Sequence, residues 1–308
     1  MTTLSAVARS EKSPTVRADK PTPLTLRVIQ NGMQILSRVA PASAAIVGER
    51  MFLTPRRHSR PAAEAELLAT ARRVPLRVGH RDLAAWEWGT GEGPRVLLVH
   101  GWEGRGAQLA RLAAPLTRAG FRVVTFDAPA HGDSPGRRAS IFHFAAAVER
   151  AAEVFGPLQA IITHSMGGAA TLWASRNGPL AKRLVMVAPP VDLRDFTRIF
   201  SRTVGITEPV RARVHQRLEA RFGVSIESVR AEKVASTMRG PLLVVHDAND
   251  REVPVACGEA IVRAWPGAEL VRTEGLGHQR ILRDAATLDT IVGFATHHPL
   301  APGRSHAG

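Results

Sequence analysis

The pattern of apolar positions changes near residue 74. Beyond it, short apolar runs alternate with segments whose apolar residues recur at helical spacing. Near-continuous apolar runs are typical of strands buried on both faces of a parallel sheet. Strands are therefore predicted at 96–99, 123–126, 160–163, 184–187 and 242–245, with helices at 109–119, 142–155, 169–175 and 255–265. This alternation predicts an α/β fold with a doubly wound, mostly parallel sheet.

Two further segments belong to the predicted domain, 76–296. An early, half-buried strand is expected where Trp86 and Trp88 alternate around Glu87. The interval 191–238 contains helical patterns and no strand pattern, which predicts a small helical lid. Such an insertion would cover the carboxyl edge of the sheet, where open α/β folds bind their ligands.

The ends of the chain differ from this domain. Residues 1–30 are polar and lack the apolar core of a secretory signal, so a mobile basic tail is predicted. Residues 31–75 are predicted as a helical extension, and 297–308 as a C-terminal tail. The apolar stretch 31–54 is too interrupted to span a membrane. A membrane-surface helix is the alternative interpretation, because Arg56, Arg57 and Arg60 follow it.

The charge of the chain is strongly basic. Across 308 residues, 41 Lys and Arg against 27 Asp and Glu give a net charge of +14. Residues 1–80 hold 13 basic and 5 acidic residues, a net charge of +8. An arginine-rich composition bias, an anionic membrane and nucleic acid are the three explanations considered. Nucleic acid is the least expected, because no RNA-binding aromatic signature or helix-turn-helix spacing accompanies the charge.

Cysteine and histidine usage limits the chemistry. Cys257 is the only cysteine, which excludes an internal disulfide framework and multi-cysteine metal sites. The histidines are dispersed, so neither a metal nor a cofactor is expected. A reducing, cytoplasmic location is the prediction, with contact to the inner membrane surface as an option for the N-terminal extension.

The most informative segment surrounds Ser165. A predicted buried strand runs into His164-Ser165-Met166-Gly167-Gly168 and then into an alanine-rich helix. A serine on so tight a turn projects from the end of the sheet, beside a helix N-terminus that favours negative charge. Taken alone, the string also fits a glycine-rich turn in another α/β fold.

Three other motifs occur with it in a fixed order. His100-Gly101-Trp102 follows the first strong strand, and the segment 127–134 reads Asp-Ala-Pro-Ala-His-Gly-Asp-Ser. Asp250 lies in an Asp-x-x-Val-Pro string, and His278 follows a glycine-rich loop. Together these motifs resemble the α/β-hydrolase family over residues 76–296, in its serine esterase and lysophospholipase-like branch. Thr163 stands where the family usually has a glycine.

The resemblance implies roles for five residues. Ser165 would be the nucleophile, His278 the base, and Asp250 the carboxylate that holds the base in one tautomer. The backbone amides of Trp102 and Met166 would form the oxyanion hole. Asp247 competes with Asp250 for the acid role, the alternative being that Asp247 caps the loop by bonding local amides.

The remaining polar residues of these motifs receive structural interpretations. Asp127 and His131 are expected to shape a turn beside the site rather than act as acid and base. His100 is expected to shape its loop, and His164 to pack behind Ser165.

The implied function is a cofactor-free serine hydrolase that cleaves a carboxylic ester or thioester of a small molecule. Acyltransferase or lyase activity on the same fold is one alternative. The other is a non-catalytic basic module that binds membranes or nucleic acid.

Overall fold

A computed structural model of the protein describes residues 24–296. The predicted C-terminal tail, 297–308, and residues 1–23 of the predicted N-terminal tail lie outside this range. The first helix begins at Leu24. The boundary predicted at residue 30 was therefore wrong, because residues 24–30 supply apolar positions to the first turns of an amphipathic helix.

Eight strands form one sheet, and five of them contain the predicted apolar runs. Its order is β1-β4-β6-β5-β7-β8-β9-β10; β1 and β4 are antiparallel to their neighbours, and the other adjacent pairs are parallel. Strands β2 and β3 form a separate hairpin. The strands are β1 Arg72–Arg73, β2 Arg77–Val78, β3 Arg81–Asp82, β4 Ala85–Trp88, β5 Arg95–Val99, β6 Arg122–Phe126, β7 Leu158–His164, β8 Ala181–Val187, β9 Leu242–Asp247 and β10 Glu269–Thr273.

Helices cover both faces of the sheet and form the N-terminal extension. Short 3₁₀ helices occur at Gly106–Leu112, Ser175–Asn177 and Ile226–Val229. The α-helices are α1 Leu24–Val39, α2 Pro41–Phe52, α3 Ala62–Ala69, α4 Ala113–Arg118, α5 Ile141–Phe155, α6 Met166–Ala174, α7 Leu193–Val204, α8 Glu208–Phe222, α9 Ala231–Ala235, α10 Val255–Ala264, α11 Gly277–Arg280 and α12 Ala285–Ala295.

Strand β4 is fully buried rather than half-buried as predicted. The side chain of Glu87 is buried because it forms ion pairs with three arginines from β1, β5 and β6. These guanidinium groups compensate the loss of water around the carboxylate. Because β1 pairs with β4, the sheet begins at Arg72, ahead of the predicted domain start at residue 76.

The N-terminal helices pack on the helical insertion. A third apolar cluster, separate from the two on the faces of the sheet, joins α1 and α2 to α7 and α8, with Ala44 and Val210 fully buried at its centre. Beside it, the buried carboxylate of Glu49 accepts hydrogen bonds from Arg217 and Arg221 of α8. Residues 24–52 therefore form one structural unit with the insertion 191–238.

Residues 53–61 link α2 to α3 and cross the loops that follow β5 and β6; we call this segment the strap. Arg57 donates hydrogen bonds to the carbonyl oxygens of three residues in the turn after β6, and Arg60 pairs with Asp133 at 2.8 Å. Arg56 binds Glu103. Carbonyl and carboxylate oxygens of the protein thus bind the three arginines on which the membrane-surface interpretation relied.

Candidate active site

Ser165 lies at the sharp turn between β7 and α6. Its φ of 51° is in the left-handed region that side chains avoid. The adjacent helix approaches β5 closely, because a Cβ on Gly167 would lie 2.5 Å from the carbonyl oxygen of His100 and 2.7 Å from that of Val99. Glycine at 167 therefore allows the turn to expose the hydroxyl at the carboxyl end of the sheet.

Thr163 fits its unusual position without strain on the turn. Its hydroxyl donates to the carbonyl oxygen of Val185 in the neighbouring strand, at 3.1 Å. Space for this side chain exists because residue 168 is glycine: a Cβ there would lie 3.2 Å from the Thr163 hydroxyl. The second glycine of the motif thus compensates for the absent one.

Asp250 and His278 form a hydrogen-bonded pair. Nδ1 of His278 donates to Oδ2 of Asp250 at 2.7 Å, while Oδ1 accepts from the amides of Glu252 and Val253 at 2.8 and 2.9 Å. A proton on Nδ1 leaves the lone pair on Nε2 of His278. The carboxylate therefore fixes the tautomer that a general base requires.

The pKa of Asp250 is lowered well below its usual value. Burial acts in the opposite direction, but hydrogen bonds from His246, His278 and the Val253 amide outweigh it. The carboxylate therefore stays charged at neutral pH, as the stabilisation of an imidazolium at His278 requires.

His246 is a site residue that sequence reasoning missed. Its ring is fully buried behind Asp250, with Nε2 2.9 Å from the carbonyl oxygen of Val253 and 3.6 Å from Oδ2 of Asp250. Gly258 of α10 makes room for this ring, because a Cβ there would lie 2.6 Å from Nδ1 of His246. A signal existed in the sequence, since a histidine inside an apolar strand needs a polar partner.

Asp247 caps the loop that leads to His278. Its Oδ1 accepts from the amide of Asn249, and its Oδ2 accepts from the Thr273 hydroxyl and the Leu276 amide, each at 2.9 to 3.0 Å. Both carboxylate oxygens are occupied by these donors. This geometry matches the capping interpretation of Asp247 and places Asp250, not Asp247, against the histidine.

The two amides predicted for the oxyanion hole belong to Trp102, in the loop after β5, and to Met166, at the start of α6. Residues 101–104 form a turn closed by a hydrogen bond from the Gly104 amide to the Gly101 carbonyl, at 3.1 Å. Trp102 is the second residue of this turn, and Met166 is the first residue of α6. Within residues 24–296, neither amide is bonded to another residue, so both remain available to an oxyanion.

Glu103 is the third residue of that turn and has a φ of 56°. Turns with a positive φ at this position usually place glycine or asparagine there. A glutamate in this conformation costs about 1 kcal/mol or more. Its carboxylate binds the strap.

A cavity of about 330 Å³ connects these parts. Ser165, His278 and Trp102 line it, together with Phe196 of α7 and His58 of the strap. The mouth is polar, because glutamate and glutamine side chains surround it: Glu103, Gln108, Glu252 and Gln279. The structure thus brings the predicted nucleophile and base to one cavity, bordered by the insertion and by the N-terminal extension.

His164 contacts the base directly rather than only packing behind the turn. Its Nε2 donates to the carbonyl oxygen of His278 at 3.0 Å, and the two rings lie 4.6 Å apart. Burial, together with the nearby His278, lowers the pKa of His164 to about 3. A neutral ring here adds no positive charge beside the base.

His100, Asp127 and His131 have the structural roles predicted for them. Nδ1 of His100 donates to the Gly101 carbonyl at 2.7 Å, and its Nε2 accepts from the Ala128 amide at 2.9 Å. Asp127 accepts from the amides of Gly106 and Asp133 at 2.7 and 2.8 Å. The ring of His131 packs against Trp102. These contacts join the loop after β5 to the turn after β6.

No group of three or more His, Cys, Asp or Glu side chains suited to a metal ion occurs in the part of the chain that the structure describes.

Comparison with known proteins agrees with this architecture. The family described as serine aminopeptidase, S33, matches residues 93–231. A pimeloyl-[acyl-carrier protein] methyl ester esterase from Chromobacterium violaceum is 38% identical over 110 residues, which cover 35% of this chain and 42% of the esterase. The chain thus matches less than half the length of that relative.

Solved structures extend the likeness to most of the chain. An esterase from Pyrococcus furiosus superposes with a TM-score of 0.60 at 17% identity, covering 80% of this chain and 99% of its own. A thioesterase domain from the curacin biosynthetic pathway gives 0.54 at 19% identity, covering 72% and 98%. The chain has the α/β-hydrolase fold. In this chain, residues 24–71 precede the sheet.

Proposed function

We propose that this α/β-hydrolase cleaves a carboxylic ester or thioester through Ser165, His278 and Asp250. The observation that carries the proposal is the hydrogen bond between Asp250 and His278, because His278 lines the same cavity as Ser165, which lies on a turn with positive φ. A structural serine would not require so strained a backbone.

The proposed reaction has two halves. Oγ of Ser165 attacks the carbonyl carbon while Nε2 of His278 accepts its proton, and the Trp102 and Met166 amides bind the oxyanion. The C–O or C–S bond then breaks, and His278 returns the proton to the leaving alcohol or thiol. Water attacks the acyl-enzyme in the same way and regenerates Ser165.

The cavity supports a substrate of modest size. Its volume of about 330 Å³ is near the lower limit of small-molecule sites. Trp102 and Phe196 supply apolar surface near Ser165, whereas the mouth is polar. We therefore propose a short acyl group with a polar remainder outside. The names of the methyl ester esterase relative and of the thioesterase neighbour favour an ester or thioester over an amide.

Short p-nitrophenyl esters and acyl thioesters test this proposal. We expect hydrolysis by the purified chain, loss of activity in Ser165→Ala, and labelling of Ser165 alone by a fluorophosphonate. Rates should fall from butyrate to longer acyl chains. Ser201→Ala, a buried serine of α7, is the matched control. Absent turnover, or turnover that survives in Ser165→Ala, would reject the proposal; alcohol acceptors would reveal acyl transfer.

For peripheral contact, we propose that α1 docks on an anionic membrane. Among residues 24–296, no helix has the length and apolar character to cross a bilayer. The face of α1 opposite the buried Met33 exposes four aliphatic side chains, flanked by exposed Arg27 and Arg38. A row of apolar residues beside cations suits an interface of anionic lipid. The four aliphatic residues are Leu24, Val28, Ile35 and Val39.

Liposome flotation tests this surface. We expect binding to phosphatidylglycerol vesicles that is weakened by salt and reduced at least fivefold by Val28→Gln with Ile35→Gln. Val154→Gln, an exposed valine of α5, should bind like the wild type. Equal binding to neutral vesicles would contradict the proposal. Self-association that the α1 variant abolishes would assign the face to a second copy and also reject it.

A further inference from the structure

The strap is anchored independently of Glu103. Its first residue, Leu53, accepts a hydrogen bond from the Ala139 amide at 2.8 Å. Arg57 then reaches the carbonyl oxygens of the turn after β6, at 3.3, 2.6 and 3.1 Å for Ala130, Ser134 and Gly136. Three separate contacts, two of them with the buried residues Ala130 and Ser134, make the strap a fixed support.

From this support, the strap holds the carboxylate of Glu103. The Arg56 amide donates to Oε1 at 3.0 Å, and the Arg56 guanidinium donates to Oε1 and Oε2 at 3.1 and 3.2 Å. Nε2 of His58 lies 3.6 Å from Oε2. Burial raises the pKa of Glu103, but the bonds from Arg56 outweigh it and lower the pKa. The carboxylate is therefore charged at neutral pH, and the strap binds it.

Glu103 directly follows Trp102, a residue that lines the cavity and whose amide is the predicted oxyanion donor. A glycine would adopt the positive φ at position 103 without strain. The glutamate adds a side chain that ties the turn to the strap. Because Trp102 and Glu103 share a peptide bond, holding Glu103 restricts the orientation of the Trp102 amide.

We propose that the N-terminal extension positions the oxyanion hole, with Arg56 and Glu103 as its positioning residues. The inference rests on the proposed function, since an oxyanion hole serves acyl transfer. Neither residue touches the reacting atoms. Without their contact, the turn at 101–104 samples other orientations, and the Trp102 amide meets the developing charge less often.

Steady-state kinetics of Glu103→Gln and Arg56→Ala test the inference. We expect kcat to fall about tenfold in each variant, less than the 10²–10³-fold loss that follows removal of an oxyanion donor, with KM changed less than twofold. A donor that acts only on the transition state changes kcat in this way. Glu153→Gln is the matched control, because Glu153 also pairs with an arginine, at 2.9 Å from Arg150, far from the cavity.

A double-mutant cycle decides whether the two residues act as one unit. The variant with both substitutions should lose about as much kcat as either single variant, because each already removes the ion pair between the guanidinium and the carboxylate. Effects that multiply, an unchanged kcat, or a loss that Glu153→Gln reproduces would overturn the inference. If Glu103→Gln does not fold, Arg56→Ala gives the same readout. The Arg56 side chain is 80% exposed, so its removal should not prevent folding.

Different results would reject the proposed hydrolase function and the proposed role of Arg56 and Glu103. An inactive wild type removes the proposed function and this inference together. An active wild type whose Glu103→Gln variant keeps full kcat removes this inference alone.

Discussion

Asp247 and Asp250 lie three positions apart, and their different partners separate their roles. Three hydrogen-bond donors surround Asp250, and one of them is the imidazole of His278, which lines the cavity. Two of the donors to Asp247, Thr273 and Leu276, belong to the segment that leads to this imidazole. The contacts of Asp250 therefore orient His278, whereas those of Asp247 fix the path of the backbone.

Exchanging each carboxylate for an amide should separate these roles. Asp250→Asn should lower kcat about 10³–10⁴-fold with little change in stability, because the amide favours the wrong tautomer of His278. Asp247→Asn should lower the free energy of unfolding by about 1–3 kcal/mol, because its amide nitrogen faces donors, and kcat by less than tenfold. Ester kinetics and urea titration measure both. The reverse order of kcat losses would make Asp247 the acid.

Individual site residues could be predicted from the sequence where a residue type occurs at a characteristic position in a motif. Ser165 and His278 were predicted from strand ends and loops, and the structure places both at one cavity. The role of His246 was not predicted, because its partner Val253 is a backbone carbonyl that any residue type supplies. The same holds for Arg57, whose acceptors are all carbonyl oxygens.

Among the elements, α6 depends on its close approach to β5. Gly167→Ala should lower the free energy of unfolding by about 3 kcal/mol, because the new Cβ meets backbone oxygens that cannot move away. Gly293→Ala in α12 has no atom within 4 Å of its Cβ. It should raise that free energy by about 0.5–1 kcal/mol through helix propensity alone. Thermal and urea unfolding compare the two variants; similar effects would contradict the packing argument.

The ion pairs between α2 and α8 should stabilise the fold unequally from their two sides, so that removing the arginines costs more stability than removing Glu49. Replacing both Arg217 and Arg221 by glutamine leaves Glu49 as an unpaired charge that is only 2% exposed, which should cost about 3–5 kcal/mol. Glu49→Gln should cost only about 1–2 kcal/mol, because the two guanidinium side chains are 40% and 44% exposed and reach water. Urea titration gives the order of the two losses, and the opposite order would contradict this account.

The helices and strands that could be predicted from the sequence are those with a clear pattern of apolar residues. Strands β5 to β9 are near-continuous apolar runs and were predicted within a few residues. Strands β1 to β3 are two residues each and rich in arginine, so no local pattern marks them. Burial of Glu87 was missed because it depends on arginines from three other strands, contacts that only the assembled sheet creates.

The molecule as a whole holds neutral histidines in its interior. Burial lowers the pKa of His131 to about 4 and of His164 to about 3, and it lowers that of His100 strongly. Below pH 6.5 the unfolded chain binds protons at these residues and the folded chain does not, so acid lowers stability down to about pH 4. Burial raises the pKa of Asp127 to about 6, which acts oppositely between its ordinary 3.8 and 6.

Three histidines against one carboxyl leave a net loss on acidification. Near pH 5 these groups should lower the free energy of unfolding by about 2–3 kcal/mol per unit of pH decrease, close to two protons. His131→Asn should reduce this slope by about one proton. Urea titrations between pH 4.5 and 7 measure the slope. An unaltered slope in His131→Asn would show that this histidine is protonated in the folded state.

The contact between Glu49 and Arg217 spans 168 residues of chain, which sets the order of events during synthesis. At roughly 5–20 residues per second, α2 leaves the ribosome about 10–30 s before its partner helix is complete. Until then, the apolar side chains of α1 and α2 have no native surface to cover them. Helices α1 and α2 are thus made before the helix on which they pack, and their apolar side chains stay accessible to chaperones until that helix is complete.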